Sequence, residues 1–206
     1  MGTGALEEDP RSLRLRAFFG LPVPEPQREE LGSFITTCAS LAPAFRWTPA
    51  ENLHLTIRFV GGVERSVVEP VADALVDRPP AAFDLELGSL GTFGRGPGAR
   101  VVWLGLQSGA DGAAAVAARV EEECLRAGLV GAFSKSHPGR RASAQNRPFR
   151  AHLTLARARA RYGASLPDLP APPSLEQWRA DELILYASRL TRSGATYEVV
   201  RTLRLA

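Results

Sequence analysis

The amino-acid sequence predicts an α+β protein of two lobes, built as a pseudo-symmetric internal duplication, and three observations carry that prediction. The tetrapeptide His54-Leu55-Thr56-Ile57 recurs as His152-Leu153-Thr154-Leu155. The stretches around the two copies run through a loosely matching order of strand and helix signals. No linker divides the chain into two independent domains, so residues 13–206 form one bilobal body behind a flexible N-terminal tail, 1–12. With ten Thr in 206 residues, a given His has about a 5% chance of Thr two places on, so two hits among three His are a poor match to coincidence.

Taken in order, residues 13–20 (LRLRAFFG) alternate well enough for a strand, and Pro22, Pro24 and Pro26 separate them from a helix over 25–41 with Leu31, Phe34, Ile35 and Cys38 on one side. Residues 45–47 are a short extended piece, and 49–52 form a turn into the first His strand, 53–60. Gly61-Gly62 is expected to break that strand; helical spacing then resumes over 63–77 through Val67, Val71 and Leu75, with an irregularity at Pro70. Strands at 83–93 and 100–107 flank the Gly/Pro-rich turn 94–98. An Ala-rich amphipathic helix follows over 111–127, with Asp111 as N-cap and Gly128 as stop. After a loop at 131–147 comes the second His strand, 149–156. Pro167, Pro170, Pro172 and Pro173 make an extended connector, and two last strands, 180–190 and 196–205, are joined by a turn at Arg192-Ser193-Gly194.

Composition is that of an ordinary globular protein, 45% hydrophobic and 23% charged. No apolar run approaches the 18 or so residues of a membrane span. The segment before Arg11 carries Glu7, Glu8 and Asp9 and has no apolar core, unlike a secretory signal. Cys38 and Cys124 read as reduced, buried thiols, and together these features predict a cytoplasmic, monomeric protein without membrane association. Net charge is only +3, but between Cys124 and Pro167 there is no Asp or Glu while nine Arg and Lys accumulate. Such a field favours phosphates or nucleic acid. The tip of that stretch, 134–146, with Lys135, Arg140 and Arg141, reads either as RNA-contacting or as a solvated loop, and His137 within it as solvent-exposed.

In a strand, alternate side chains share a face. His54 and Thr56 therefore point one way while Leu55 and Ile57 point the other, and the second copy repeats this. Two imidazoles on one cleft can deliver one proton and remove another near neutral pH, and a Thr hydroxyl beside each can donate to a phosphoryl oxygen. By strand parity Arg58 lies with His54 and Thr56 as a phosphate-binding guanidinium, and Arg157 stands just past the second motif. Phe19 and Phe93 are conceivable base-stacking residues, though a core role suits both better. Neither motif brings a third or fourth metal ligand at close spacing, so neither a metal nor another cofactor is expected.

These residues resemble the two-histidine (HxTx) phosphoesterases, and within them the RNA 2′,3′-cyclic phosphodiesterases, also called 2′-5′ RNA ligases. Besides the motifs, the likeness includes Arg16-Ala17-Phe18-Phe19, Arg46-Trp47 with Pro49 and Glu51-Asn52-Leu53, Phe59-Val60-Gly61, Arg147-Pro148-Phe149, Ala156-Arg157, Tyr186-Ala187-Ser188-Arg189-Leu190 and Tyr197-Glu198-Val199. The resemblance implies an antiparallel sheet with helices in each lobe and HxTx strands facing a central cleft. It also implies metal-independent hydrolysis of a 2′,3′-cyclic phosphate to a 2′-phosphate, with 2′-5′ ligation as the reverse. In that scheme His54 donates a proton to the leaving 3′ oxygen, His152 activates water, and Thr56, Thr154 and Arg157 hold the phosphate. The sequence departs from the family at Ala151, where Pro is frequent, and in a longer stretch around 135–146. Alternatives are the same chemistry on a small cyclic nucleotide or a 2′-5′ linked oligonucleotide, and a non-catalytic RNA-end-binding module, for which paired His would be unnecessary.

Overall fold

A computed structural model describes residues 14–95, 98–129, 149–190 and 194–206. The expected tail at 1–12 and the basic stretch with Lys135, His137, Arg140 and Arg141 lie outside the described residues. The elements are β1 (Arg14–Pro22), α1 (Glu25–Leu41), β2 (Phe45–Trp47), a 3-10 turn (Ala50–Asn52), β3 (His54–Glu64), α2 (Arg65–Asp77), β4 (Phe83–Arg95), β5 (Gly98–Ser108), α3 (Ala110–Arg126), β6 (Leu153–Ala158), β7 (Trp178–Ala180), β8 (Glu182–Leu190) and β9 (Ala195–Arg204).

The strands form one path, β7-β4-β5-β6-β3-β1-β8-β9, with β2 beside β6, and every pairing is antiparallel. At its middle β3 meets β6 through a single pair, Leu55↔Leu153. Outward from that seam the order is β3-β1-β8-β9 on one side and β6-β5-β4-β7 on the other, so each lobe starts from its own His strand. The duplication expected from the repeated motif is thus written into the sheet as two four-stranded arms.

The helices bury apolar stripes against the reverse of this sheet. Leu31, Phe34, Ile35 and Cys38 of α1, Val68, Val71, Ala72 and Leu75 of α2, and Val116, Ala117, Val120 and Cys124 of α3 join Leu55, Ile57, Leu153 and Leu155 in one core. Fully burying a Leu- or Val-sized side chain contributes about 1.5–3 kcal/mol, so these stripes fix which sheet face is closed and which stays open. Cys38 and Cys124 are both buried and unpaired, and burial pushes the Cys124 thiol up to about 11.

Four expectations need correction. α3 starts one residue early, with Gly109 as its cap and Asp111 in the first turn. Gly109 is required there, since its φ is +85° and a Cβ would lie 2.5 Å from the Asp84 carbonyl oxygen. The helix α2 runs through exposed Pro70 without interruption. Gly61-Gly62 does not end β3; Gly61, at φ +85°, helps the strand absorb an extra residue and continue to Glu64. Finally, the strand expected at 180–190 is two strands. Asp181 divides β7, which pairs with β4 at the edge of one lobe, from β8, which pairs with β1 in the other.

Candidate active site

Leu55 and Leu153 face the core at the seam, 1% and 0% exposed, so their neighbours face away from it. His54 and Thr56 from β3, Thr154 of β6 and His152 immediately before it are thereby brought together on the open face. Each ring is oriented in the same way. His54 Nδ1–H donates to the Asn52 carbonyl at 2.8 Å, and His152 Nδ1–H to the Arg150 carbonyl at 2.7 Å. A carbonyl can only accept, so Nδ1 holds the proton of each neutral ring and Nε2 presents its lone pair. His54 Nε2 lies 3.0 Å from Thr56 Oγ1, whose hydroxyl donates to it when the ring is neutral.

Aromatic rings hold both imidazoles. His54 packs against Phe18 at 4.7 Å, Tyr197 at 5.1 Å and Tyr186 at 5.8 Å between ring centroids. His152 meets Phe93 edge-on at 5.1 Å and Trp103 at 6.2 Å. Of the two stacking candidates, Phe19 is fully buried in the core, whereas Phe93 stands beside His152. Gly20 gives His54 its room, because a Cβ there would come within 3.2 Å of the imidazole Cδ2.

Arg58 is not in the cleft. The ladder between β1 and β3 steps from Gly20↔Thr56 to Phe19↔Arg58, leaving Ile57 as the extra residue of a bulge. A bulge resets the alternation, so Ile57 and Arg58 both turn to the helix side. There Arg58, 7% exposed, pairs with Glu121 of α3 and donates from Nη2 to the Leu129 carbonyl at 2.8 Å. The same step occurs in the second motif: between β5 and β6 the register passes from Trp103↔Thr154 to Val102↔Ala156, leaving Leu155 as the extra residue. Here the reset buries Ala156 and turns Arg157 onto the face of Thr154.

The electrostatics agree with this placement. Burial, reinforced by the charges of Arg157 and His152 and opposed by the Asn52 carbonyl, lowers His54 to about 4. Burial also lowers His152, against the pull of the Arg150 carbonyl and with help from Arg157 and Arg150. Arg157 thus acts electrostatically on both imidazoles. Desolvation pulls its own guanidinium down, opposed by Tyr197 and aided by Arg46, its partner across the β2–β6 ladder, although the side chain still reaches solvent. Desolvation raises the Tyr197 phenol, and Arg157, Arg16 and Arg46 pull it the other way. Sequence reasoning gave no role to Arg46, Arg16, Tyr197 or Trp103; only the sheet register shows that Arg46 stands beside Arg157. Among the described residues no three His, Cys, Asp or Glu side chains converge as metal ligands do.

A two-lobed antiparallel sheet with one His-x-Thr at each side of its seam defines the class of two-histidine phosphoesterases. Residues 21–103 match the family model described as LigT like Phosphoesterase. An RNA 2′,3′-cyclic phosphodiesterase of Aeropyrum pernix is 30% identical over 76% of this chain and 84% of its own length. One from Geobacillus stearothermophilus is 26% identical over 91% of this chain, which spans only 56% of that relative. The crystal structure of Escherichia coli LigT complexed with 3′-AMP superposes with a TM-score of 0.75 at 26% identity, covering 94% of this chain and 99% of that one. The chain belongs to the LigT-like, RNA 2′,3′-cyclic phosphodiesterase family.

Proposed function

We propose that this protein hydrolyses 2′,3′-cyclic phosphate ends of RNA to 2′-phosphates without a metal. The observation that carries the reading is the pair of imidazoles at the seam, each with Nδ1 engaged by a backbone carbonyl so that Nε2 carries the lone pair, which in His54 lies beside the Thr56 hydroxyl. The oxygen of a water attacks phosphorus while His152 takes its proton; the bond from phosphorus to the 3′ oxygen breaks as His54 supplies a proton to that oxygen. One proton is taken and one returned, so the site resets by passing a proton between the rings through solvent. Thr56, Thr154 and Arg157 hold the non-bridging oxygens.

Burial favours the neutral form of both rings, and a donor must be protonated. An anionic phosphate beside His54 favours the imidazolium and so raises its pKa toward the working range. Binding of substrate thus arms the acid. The same cleft acting on a mononucleotide cyclic phosphate is a second reading, favoured by the 3′-AMP carried by E. coli LigT. Ligation of 2′-5′ ends is the reversal of the same step. The protein acts as a cytoplasmic monomer in this reading, and no helix among the described residues is long and apolar enough to cross a membrane.

The test is incubation of the purified protein, with EDTA, with a short RNA ending in a 2′,3′-cyclic phosphate. A 2′-phosphate product is expected. A 3′-phosphate would reverse the assignment of the leaving oxygen, and no turnover of either RNA or mononucleotide would leave an RNA-end-binding module.

A further inference from the structure

The open face of the second lobe carries an aromatic surface that the two-histidine chemistry does not use. Trp103 on β5 stands opposite Gly91 of β4 on one side and Thr154 of β6 on the other. Its indole lies down across the sheet. A Cβ at Gly91 would sit 2.4 Å from ring atoms Cη2 and Cζ2, and one at Gly105 would sit 3.2 Å from Cζ3. Two glycines on neighbouring strands, both facing Trp103, are what allow a ring of this size to lie nearly flat. Phe93, two residues from Gly91 on the same face, extends the surface at 4.9 Å and 31°. Both residues remain partly exposed, whereas Phe18 behind His54 is fully buried. The indole Nε1 is buried and has no partner among the described residues. What the ring offers outward is therefore π surface and not a hydrogen bond. Its position is equally specific, since Trp103 lies 6.2 Å from His152 and Phe93 meets the same imidazole edge-on.

We infer that Trp103, extended by Phe93, is the platform on which the base of the terminal nucleotide stacks while its cyclic phosphate lies between His54 and His152. The inference rests on the phosphodiesterase reading and adds to it the place of the nucleobase. A base is joined to its phosphate through one ribose, and the platform borders the His152 side of the seam, with Trp103 6.2 Å from that imidazole. Stacking on a carbon face tolerates every base and favours the larger purines. With no polar atom of the platform turned outward, recognition there is by size and not by sequence.

The experiment compares adenosine 2′,3′-cyclic phosphate with methyl riboside 2′,3′-cyclic phosphate, which keeps the reacting group and lacks the base. In the wild-type protein the nucleotide is expected to have a kcat/KM about tenfold or more above the riboside, carried mainly by KM. In Trp103→Leu that preference is expected to collapse toward unity, and Trp103→Phe to restore part of it. Phe93→Leu, a milder change, is expected to narrow the preference by a smaller factor and serves where Trp103→Leu does not fold. Hydrolysis of both compounds at equal efficiency by the wild type would overturn the platform and leave the phosphodiesterase reading standing. So would a preference that survives in the folded Trp103 and Phe93 variants. Failure to hydrolyse either compound or a cyclic-phosphate RNA would instead remove the reading beneath it.

Discussion

The two His-x-Thr strands share a backbone and differ in what that backbone delivers. Both carry a bulge immediately after the Thr, at Ile57 in β3 and at Leu155 in β6. In each the next residue turns to the closed face and the one after it to the open face. In the first strand those residues are Arg58 and Phe59; in the second they are Ala156 and Arg157. Phe59 joins Phe18 at 5.5 Å beside His54, whereas Arg157 brings charge to both imidazoles. The duplication has kept a positional rule, including its irregularity, and assigned the cation to one copy only.

The largest effect is expected from the element the copies share. His54→Ala and His152→Ala should each lower kcat on a cyclic-phosphate RNA about a thousandfold with circular dichroism unchanged. Rates within a few-fold of wild type for either would break the equivalence of the two strands. The cations should then separate. Arg157→Ala is expected to cost about a hundredfold in kcat/KM with little change in stability. Arg58→Ala should leave kcat/KM nearly intact and destabilise the fold by about 1–2 kcal/mol in urea unfolding, because it abandons the Leu129 carbonyl, while Glu121, half exposed, is taken up by solvent. The reverse outcome would return Arg58 to the cleft.

The imidazoles should differ in how they couple to pH. His54 is lowered to about 4 in the fold, so between its unfolded value near 6.5 and that value the unfolded chain binds more protons. Its contribution to stability is complete above about 6.5 and is lost as pH falls toward 4, amounting to up to about 3 kcal/mol. His54→Gln should flatten this part of the pH–stability curve more than His152→Gln, whose ring is less enclosed. The smallest effect is geometric. Gly20→Ala places a methyl 3.2 Å from the His54 ring and should lower kcat several-fold, while the corresponding rate with His54 already replaced should not respond.

How much of this was legible beforehand follows from the range of the signals. The repeated tetrapeptide is local, so both motifs, the first His strand and the two-lobed α+β body could be read directly, whereas the second strand, expected over 149–156, runs Leu153–Ala158 and leaves His152 just before it. The helix at 25–41 was bounded by prolines and its apolar stripe, and its limits agree with α1. Arg58 was misplaced because parity assumes an uninterrupted ladder, and the bulge at Ile57 exists only in relation to β1. For the same reason Arg157 found its place in the family resemblance and not in the alternation. Arg46 and Trp103 depend on registers between strands distant in sequence, which no window along the chain contains.

The crossing at Asp181 has a consequence for how the protein is made. After β7 finishes the outer edge of the second lobe, the chain returns to supply β8 and β9 to the first, bringing Tyr186 and Tyr197 up behind His54. During synthesis, then, β1 and β3 leave the ribosome early and wait for two strands translated much later. The lobe that starts first closes last, and the enclosure of His54 is among the final structures to form.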